Sequence, residues 1–153
     1  MPDQEPRHVI ARRQAGLPRF IGEAPDALRD LARALSIDPI SADDPERSLP
    51  AVTVALRTAL TEALEQQDRL WLLTRLMHFI AAIVMHRHGG AWRVEEEPAG
   101  RFHGRYVIGG FPDRSAAAVI DPAAAAAAAM NGEPLEVLLA EIDADLRGLP
   151  QRS

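Results

Sequence analysis

The feature that most constrains the fold is an almost uninterrupted apolar run from Leu70 to Met85. In a helix, these side chains would cover nearly the whole circumference, as in a helix at the middle of a domain or under an oligomer interface. The run is too short for a membrane span, and it contains Arg75 and His78. The sequence therefore predicts a buried central helix, which ends at Gly89-Gly90 because glycine adopts the left-handed backbone conformation that ends many helices.

Two short segments after the glycine pair predict a β-hairpin, with strands over Ala91–Glu97 and Phe102–Ile108 and a loop over Pro98–Phe102. Apolar residues stay on one face only in registers of one parity. One such register places Arg93 opposite Arg105, and the next places Glu95 opposite Arg105. Because opposite charges across strands stabilise a sheet and like charges destabilise it, we predict the second register, with Trp92 opposite Ile108.

Helices are predicted on both sides of this core. Before it, Ala24-Pro25-Asp26 begins one helix and Ser48 begins another, since proline fits the first turn and serine caps it. Residues 50–88 form either one bent helix or two. After the hairpin, Asp121-Pro122 begins an alanine helix that ends at Asn131-Gly132, and a last helix starts near Pro134.

The predicted fold class is α+β: a helical N-terminal half with a long central helix, a small antiparallel sheet and two closing helices. The sheet has two strands, or three if residues 115–120 add one. Residues 1–22 lack clear periodicity, so we expect a poorly ordered or draped arm. Residues 23–149 are predicted to form a single domain, and residues 150–153 a flexible tail.

Missing residue types exclude several chemistries. The chain has no cysteine, so disulfides, thiolate nucleophiles and cysteine zinc sites are excluded. All 17 basic residues other than histidine are arginine, which excludes lysine Schiff bases and a Walker-type phosphate loop. His86 and His88 point about 200° apart on a helix, so with His103 they are not expected to bind a metal. We expect no metal and no other cofactor.

Net charge and residue usage indicate which partners, which cellular compartment and which type of genome to expect. The net charge of −5 argues against nucleic-acid binding, which requires a basic face, and is compatible with a basic protein partner. The first twenty residues lack the apolar run of a secretory signal, so a cytoplasmic protein without membrane attachment is expected. The preference for arginine and alanine is typical of a high-GC bacterial genome.

A sequence pattern links these elements to other proteins. The order of His88-Gly89-Gly90-Ala91-Trp92, Arg105-Tyr106-Val107-Ile108 and Ile120-Asp121-Pro122 resembles small bacterial α+β domains of unknown function, with a helix–GGxW–hairpin–DP–helix pattern. It covers roughly residues 70–145. The resemblance implies a bacterial α+β domain, sometimes a standalone protein, and it transfers no catalytic residue.

Two classes of function are compatible with the sequence. The first is a non-enzymatic protein-binding module, such as an immunity protein, a specific chaperone or an adaptor, and a homodimer is left open. Its acidic candidates for partner binding are Glu95, Glu96, Glu97, Glu136, Glu141, Asp143 and Asp145. The alternative is a small enzyme or ligand-binding domain with a pocket between the central helix and the hairpin. That pocket would be built from Arg75, His78, Trp92 and Tyr106.

Overall fold

The computed structural model describes residues 5–97 and 104–148. Within them the elements are, in chain order, α1 (Glu5–Gly22), α2 (Ala24–Ala34), a 3₁₀ turn (Pro45–Ser48), α3 (Leu49–Ala59), α4 (Gln66–His88), β1 (Ala91–Val94), β2 (Tyr106–Gly109), α5 (Pro122–Met130) and α6 (Leu135–Gly148). The predicted α+β class is confirmed. The predicted hairpin loop and the predicted tail at residues 150–153 lie outside the described residues.

The central helix is confirmed as α4, which packs against α2, α5 and α6. Its buried residues are Leu72, Leu76, Met77, His78, Phe79, Ile80, Ala81, Ile83 and Val84. Together with apolar residues of the other helices and of the hairpin, these side chains form one continuous core. The core therefore surrounds the second half of α4, as its apolar circumference predicts, whereas Leu70 and Trp71 near its start are exposed.

The apolar run from Leu70 to Met85, predicted to be too short for a membrane span, lies inside a longer helix. α4 is 23 residues long because it extends beyond the apolar run at both ends, and by length and composition it qualifies as a candidate span. The core helix of a domain meets the same criteria, and α4 packs against three other helices in this structure. Of its apolar window, 44% is buried by this packing.

Residues 50–88 form two helices, α3 and α4, rather than one bent helix. After α3 the backbone N–H groups of Thr61 and Glu62 donate to carbonyls three residues earlier, and the hydroxyl of Thr61 also donates to the carbonyl of Thr58 at 2.7 Å. Glu65 then adopts an extended conformation, with φ −66° and ψ 154°. The polar segment between the helices thus lets the chain turn before α4 begins.

Residues 5–22, predicted to be a poorly ordered or draped arm, form helix α1, so the poorly ordered alternative is wrong for them. This helix packs against β1 and α2, and its Leu17 and Phe20 contact the core. Pro18 lies inside it, where proline lacks an N–H donor and weakens the helix. Tertiary packing, which supplies most of a helix's stability in proteins, therefore outweighs the poor local propensity.

The hairpin has the predicted register. The pairs in the sheet are Ala91–Gly109, Trp92–Ile108, Arg93–Val107 and Val94–Tyr106. The backbone N–H of Glu95 donates to the carbonyl of Arg105 at 3.0 Å, which continues the same pairing. The guanidinium of Arg105, however, bonds to Asp121 at 2.8 Å. The burial of Trp92 and Val94 accounts for the parity of the register, which registers two residues apart share, and Arg105 pairs with Asp121 in place of the predicted charge pair across the strands.

The segment before α5 makes only a single bridge to the sheet. Ile108 and Ile120 exchange two backbone hydrogen bonds of 2.9 Å each. Asp121 then begins α5, and its side chain accepts a hydrogen bond of 3.0 Å from the N–H of Ala123. The predicted cap is confirmed, and the segment at residues 115–120 is a connection with one bridge rather than a third strand.

Candidate functional site

The space between α4 and the hairpin is filled by Phe20 from α1. The centroid of its ring lies 4.7 Å from that of His78, 4.8 Å from that of Trp92 and 4.4 Å from that of Tyr106. Three of the four residues predicted to build a pocket therefore meet, as a packed aromatic cluster. Among the described residues there is no open pocket at the centre of this cluster, because the ring of Phe20 occupies it.

Polar contacts hold α1 against the hairpin next to this cluster. The hydroxyl of Tyr106 donates to the carbonyl of Arg13 at 2.9 Å. A Cβ atom at Gly16 would lie 2.9 Å from the same hydroxyl, so a side chain there would displace it. The amide of Gln14 donates to the carboxylate of Glu96 at 2.6 Å. Glu96, one of the predicted partner-binding acids, is thus engaged within the chain.

Arg75, the fourth predicted pocket residue, lies away from the aromatic cluster. Its guanidinium carbon is 4.5 Å from the centroid of the Trp71 ring, and its Nε is 4.0 Å from a carboxylate oxygen of Asp30. Arg75 and His78 instead line a groove of about 510 Å³ between α2 and α4. We call it the α2–α4 groove; its other lining residues are Phe20, Glu23, Asp26, Ala27, Asp30, Thr74 and Met77.

His78 is a buried polar residue among those that line this groove. It is 5% exposed, and its Nδ1 has no hydrogen-bond partner in the part of the chain that the structure describes. Burial lowers the pKa of His78; the carboxylate of Glu23 opposes this effect and the guanidinium of Arg75 adds to it. A buried polar group without a partner costs about 1–3 kcal/mol, so such groups are rare and often functional.

The buried imidazole predicts a dependence of stability on pH. In the unfolded chain His78 takes up a proton near its ordinary pKa of 6.5, whereas burial holds it neutral to lower pH in the folded chain. The unfolded state then binds more protons, so the free energy of unfolding should fall as the pH drops below 6.5. The contribution of one group is at most about 1.4 kcal/mol per pH unit, and above the ordinary value it should be constant.

Urea unfolding of the wild type and of His78→Phe at a series of pH values measures this contribution. All other titratable groups are the same in the two proteins, so the difference between the two curves isolates His78. Glu46, whose pKa is lowered by its hydrogen bond with Arg87, is present in both and cancels in this difference. His8→Phe, the same substitution at an exposed position of α1, is the matched control. Parallel curves for the wild type and His78→Phe would contradict the prediction.

A second groove of about 750 Å³ lies between α5 and α6. Leu138 and Ile142 are buried beneath it, and exposed Glu133, Glu141 and Asp145 line it. Alanines of α5 form the opposite wall; they are Ala124, Ala125 and Ala128. No arginine or histidine lines this α5–α6 groove within residues 5–97 and 104–148. It therefore combines an apolar base with an acidic rim, and it includes two of the predicted partner-binding residues.

The remaining predicted acids lie elsewhere. Asp143 accepts hydrogen bonds from within the chain: Arg87 donates at 3.0 Å, and His88 Nε2 lies 2.6 Å from its other oxygen. Arg87 also donates to Glu46 at 2.6 Å, which joins the end of α4 to the 3₁₀ turn. Glu136 is exposed in the first turn of α6 and does not line the groove. Asp143 therefore holds α4 against α6 and is not positioned at the acidic rim.

The acids at the hairpin, Glu95 and Glu97, make local contacts. The carboxylate of Glu95 accepts a hydrogen bond of 3.2 Å from the backbone N–H of Glu97. Glu95 is partly buried and Glu97 is exposed. These two residues lie at the end of β1 and do not line either groove.

No group of three histidine, aspartate or glutamate residues is arranged to hold a metal ion in the described part of the chain. His86 and His88 contact different carboxylates, those of Glu46 and Asp143. They are therefore members of a charge network and not simply solvated cations at a helix end. His103, the third histidine considered in the sequence, lies outside the described residues.

Sequence reasoning missed the acidic side of the α2–α4 groove. Glu23, Asp26 and Asp30 are spaced by three and four residues, which places side chains on the same face of a helix. That spacing is visible in the sequence. The position of these acids beside His78 cannot be read from the sequence, because it depends on how α2 packs against α4.

Comparisons with protein-family models, curated proteins and solved structures give no match to this chain. The resemblance to small bacterial α+β domains therefore stays a prediction.

Proposed function

We propose that this chain is a non-enzymatic bacterial protein of the cytoplasm that binds another protein. Its partner inserts a basic amphipathic helix into the α5–α6 groove. The observation that supports this most directly is the combination of an apolar base with three exposed carboxylates in one groove. The filled space between α4 and the hairpin also favours a binding module over the pocket predicted there.

The chemistry of the groove defines the partner segment. A helix that docks in an apolar groove contributes apolar side chains spaced by three or four residues. Leu138 and Ile142 would contact those side chains, and the small alanines of α5 allow close approach. Arginine or lysine at the edges of the segment would face Glu133, Glu141 and Asp145. The partner is therefore basic on its flanks and apolar along one stripe.

Exposed charges at a rim act mainly on the association rate. Opposite charges steer two proteins together, and salt screens this attraction over a Debye length of about 10 Å at 0.1 M and about 3 Å at 1 M. We expect the association rate of a basic amphipathic peptide to fall as salt rises. The dissociation rate should change less, since it depends on the apolar contacts at the base of the groove.

The test uses a designed helical peptide with a leucine stripe and lysine flanks, and a second peptide with the same stripe and glutamate flanks. Surface plasmon resonance on the full chain should show saturable binding of the basic peptide and at least about tenfold weaker binding of the acidic one, a difference of about 1.4 kcal/mol. The double variant Glu141→Gln, Asp145→Asn should slow association of the basic peptide.

A matched control separates the groove from net charge. Glu136→Gln also removes a negative charge from α6, outside the groove, and should leave the association rate nearly unchanged. Ala124→Phe, at an exposed position of the α5 wall, should block binding without loss of stability. Equal binding of the two peptides, or equal effects of Glu136→Gln and the double variant, would contradict the proposal.

A further inference from the structure

The outer face of α1 is small along its middle and basic at its edges. Leu17 and Phe20 lie on the inner face of this helix and contact the core. At 100° per residue, an exposed stripe of Ala11, Ala15 and Pro18 lies on the opposite face. Exposed arginines flank that stripe on both sides; they are Arg7, Arg12 and Arg19. The face that α1 presents to solvent is therefore that of a basic amphipathic helix.

These arginines are available to a partner. The side chains of Arg7 and Arg12 make no ion pair or hydrogen bond with another residue in the part of the chain that the structure describes. Arg19 is 90% exposed and lies 3.7 Å from Glu23, and an exposed pair of this kind contributes little free energy. Arg13, by contrast, lies over the ring of Tyr106 at 5.3 Å and belongs to the contact with the hairpin.

The α5–α6 groove has the complementary chemistry. Its rim carries the exposed carboxylates of Glu133, Glu141 and Asp145, which have no ion pair within residues 5–97 and 104–148. Its α5 wall consists of alanines, which allow close approach of a second helix. In the described structure no residue of α1 lines this groove, because α1 packs against β1 and α2. The basic face of one chain can therefore reach the groove of another chain.

We propose that two copies of this chain associate, with the outer face of α1 from one copy over the α5–α6 groove of the other. The stripe of small residues packs against the alanine wall, and Arg12 and Arg19 face Glu141 and Asp145. The contact joins two different surfaces, so the copies associate head to tail. This inference rests on the proposed function, since it assigns to the same groove a competitor that covers it until the partner helix arrives.

The size of the contact makes the competition work in favour of the partner. One helix face on one groove is small beside the about 800 Å² per partner of a standard interface, so the association is weak. Alanine and proline at the centre of the α1 face bury less apolar area than the leucine stripe of a partner helix does. The partner therefore displaces the second copy, and the charged rim makes the association of copies sensitive to salt.

Sedimentation velocity on the full chain at low salt, over a range of concentrations, tests the proposal. The apparent mass should rise with concentration above that of one chain and return to it at high salt. The double variant Arg12→Glu, Arg19→Glu should lower the association constant by about tenfold or more, and so should Glu141→Arg, Asp145→Arg. An equimolar mixture of these two variants should associate again, because the first retains the acidic groove and the second retains the basic α1.

A control and a competitor make the test specific. Arg33→Glu with Arg47→Glu reverses two exposed arginines outside both surfaces and should leave the association constant within about twofold of the wild type, a difference of about 0.4 kcal/mol. The designed peptide with lysine flanks should dissociate the copies, and the peptide with glutamate flanks should not. The proposal is overturned if the wild type stays monomeric, if the mixture stays monomeric, or if reversal of the groove charges has no effect.

The outcomes separate this inference from the proposed function. Binding of the basic peptide to a chain that stays monomeric at every concentration overturns the inference and leaves the proposed function standing. Association that depends on both α1 and the groove, in a chain that binds neither peptide, supports the inference and contradicts the proposed partner.

Discussion

Replacing Leu76 with alanine should lower the free energy of unfolding by about 2–5 kcal/mol. Leu76 is fully buried at the centre of α4, among side chains of the main core. The substitution removes apolar contacts and leaves a cavity that the surrounding helices close only in part, because the core is formed from several packed helices. Such a loss is a large fraction of the stability of a domain of this size. Urea unfolding at equilibrium, with circular dichroism as the probe, measures it.

The same helix provides a matched control. Leu70 is 58% exposed, so Leu70→Ala should change the free energy of unfolding by no more than about 0.5 kcal/mol. Both changes remove the same atoms from the same helix, and the difference between them reports burial alone. Amide hydrogen exchange should also show the middle of α4 among the most protected segments of the chain. Equal costs for the two variants, or fast exchange there, would contradict this arrangement of the core.

Asp121→Ala should have the second largest effect, with a loss of about 2–4 kcal/mol. The side chain of Asp121 is 2% exposed and makes two contacts with different roles. One oxygen caps α5 through the N–H of Ala123, and the other accepts a hydrogen bond of 2.8 Å from Arg105. Alanine removes both contacts, so the first turn of α5 loses its cap and the hairpin loses its ion pair with the start of α5, while the backbone bridge between Ile108 and Ile120 remains.

Two companion variants divide this loss into its parts. Arg105→Ala removes the ion pair and keeps the cap, while Asp121→Asn keeps an oxygen for the cap and removes the charge. Arg105 is 59% exposed and regains water when it loses its partner, so the double variant of Asp121→Ala and Arg105→Ala should cost less than the sum of the two single changes. Thermal unfolding of the wild type, of Asp121→Ala, of Arg105→Ala and of the double variant completes the double-mutant cycle. A loss below about 0.5 kcal/mol for Asp121→Ala would show that neither contact stabilises the fold.

The acidic residues that stand out in the sequence have different roles in the structure. Glu141 and Asp145 lie four residues apart on α6, and their spacing alone places them on one face. Asp143, between them in sequence, points elsewhere and pairs with Arg87 and His88. The helical period therefore separates a rim that a partner can reach from a charge network that holds α4 against α6.

Much of the core could be predicted from local sequence patterns. The second half of the apolar run in α4, residues 76–85, has one stable environment, the interior, because nearly all sides of the helix are apolar there. The parity of the hairpin register follows from the apolar face, since a shift by one residue would turn Trp92 toward the opposite face. Among registers of that parity, the charges of Arg93, Glu95 and Arg105 favour the observed one. The start of α5 follows from a capping aspartate and a proline in the first turn, which need no distant contact to act. These features rest on interactions between residues close in sequence or on a simple period.

The helix α1 and the position of the candidate sites were decided only by tertiary structure. Pro18 and a weak apolar pattern make α1 a poor helix by itself, and it is stabilised because Phe20 packs against His78, Trp92 and Tyr106. The same contacts fill the predicted pocket and leave the imidazole of His78 beside the acids of α2. Each of these outcomes depends on side chains distant in sequence that meet only after the helices pack, and no local propensity or period encodes such a meeting.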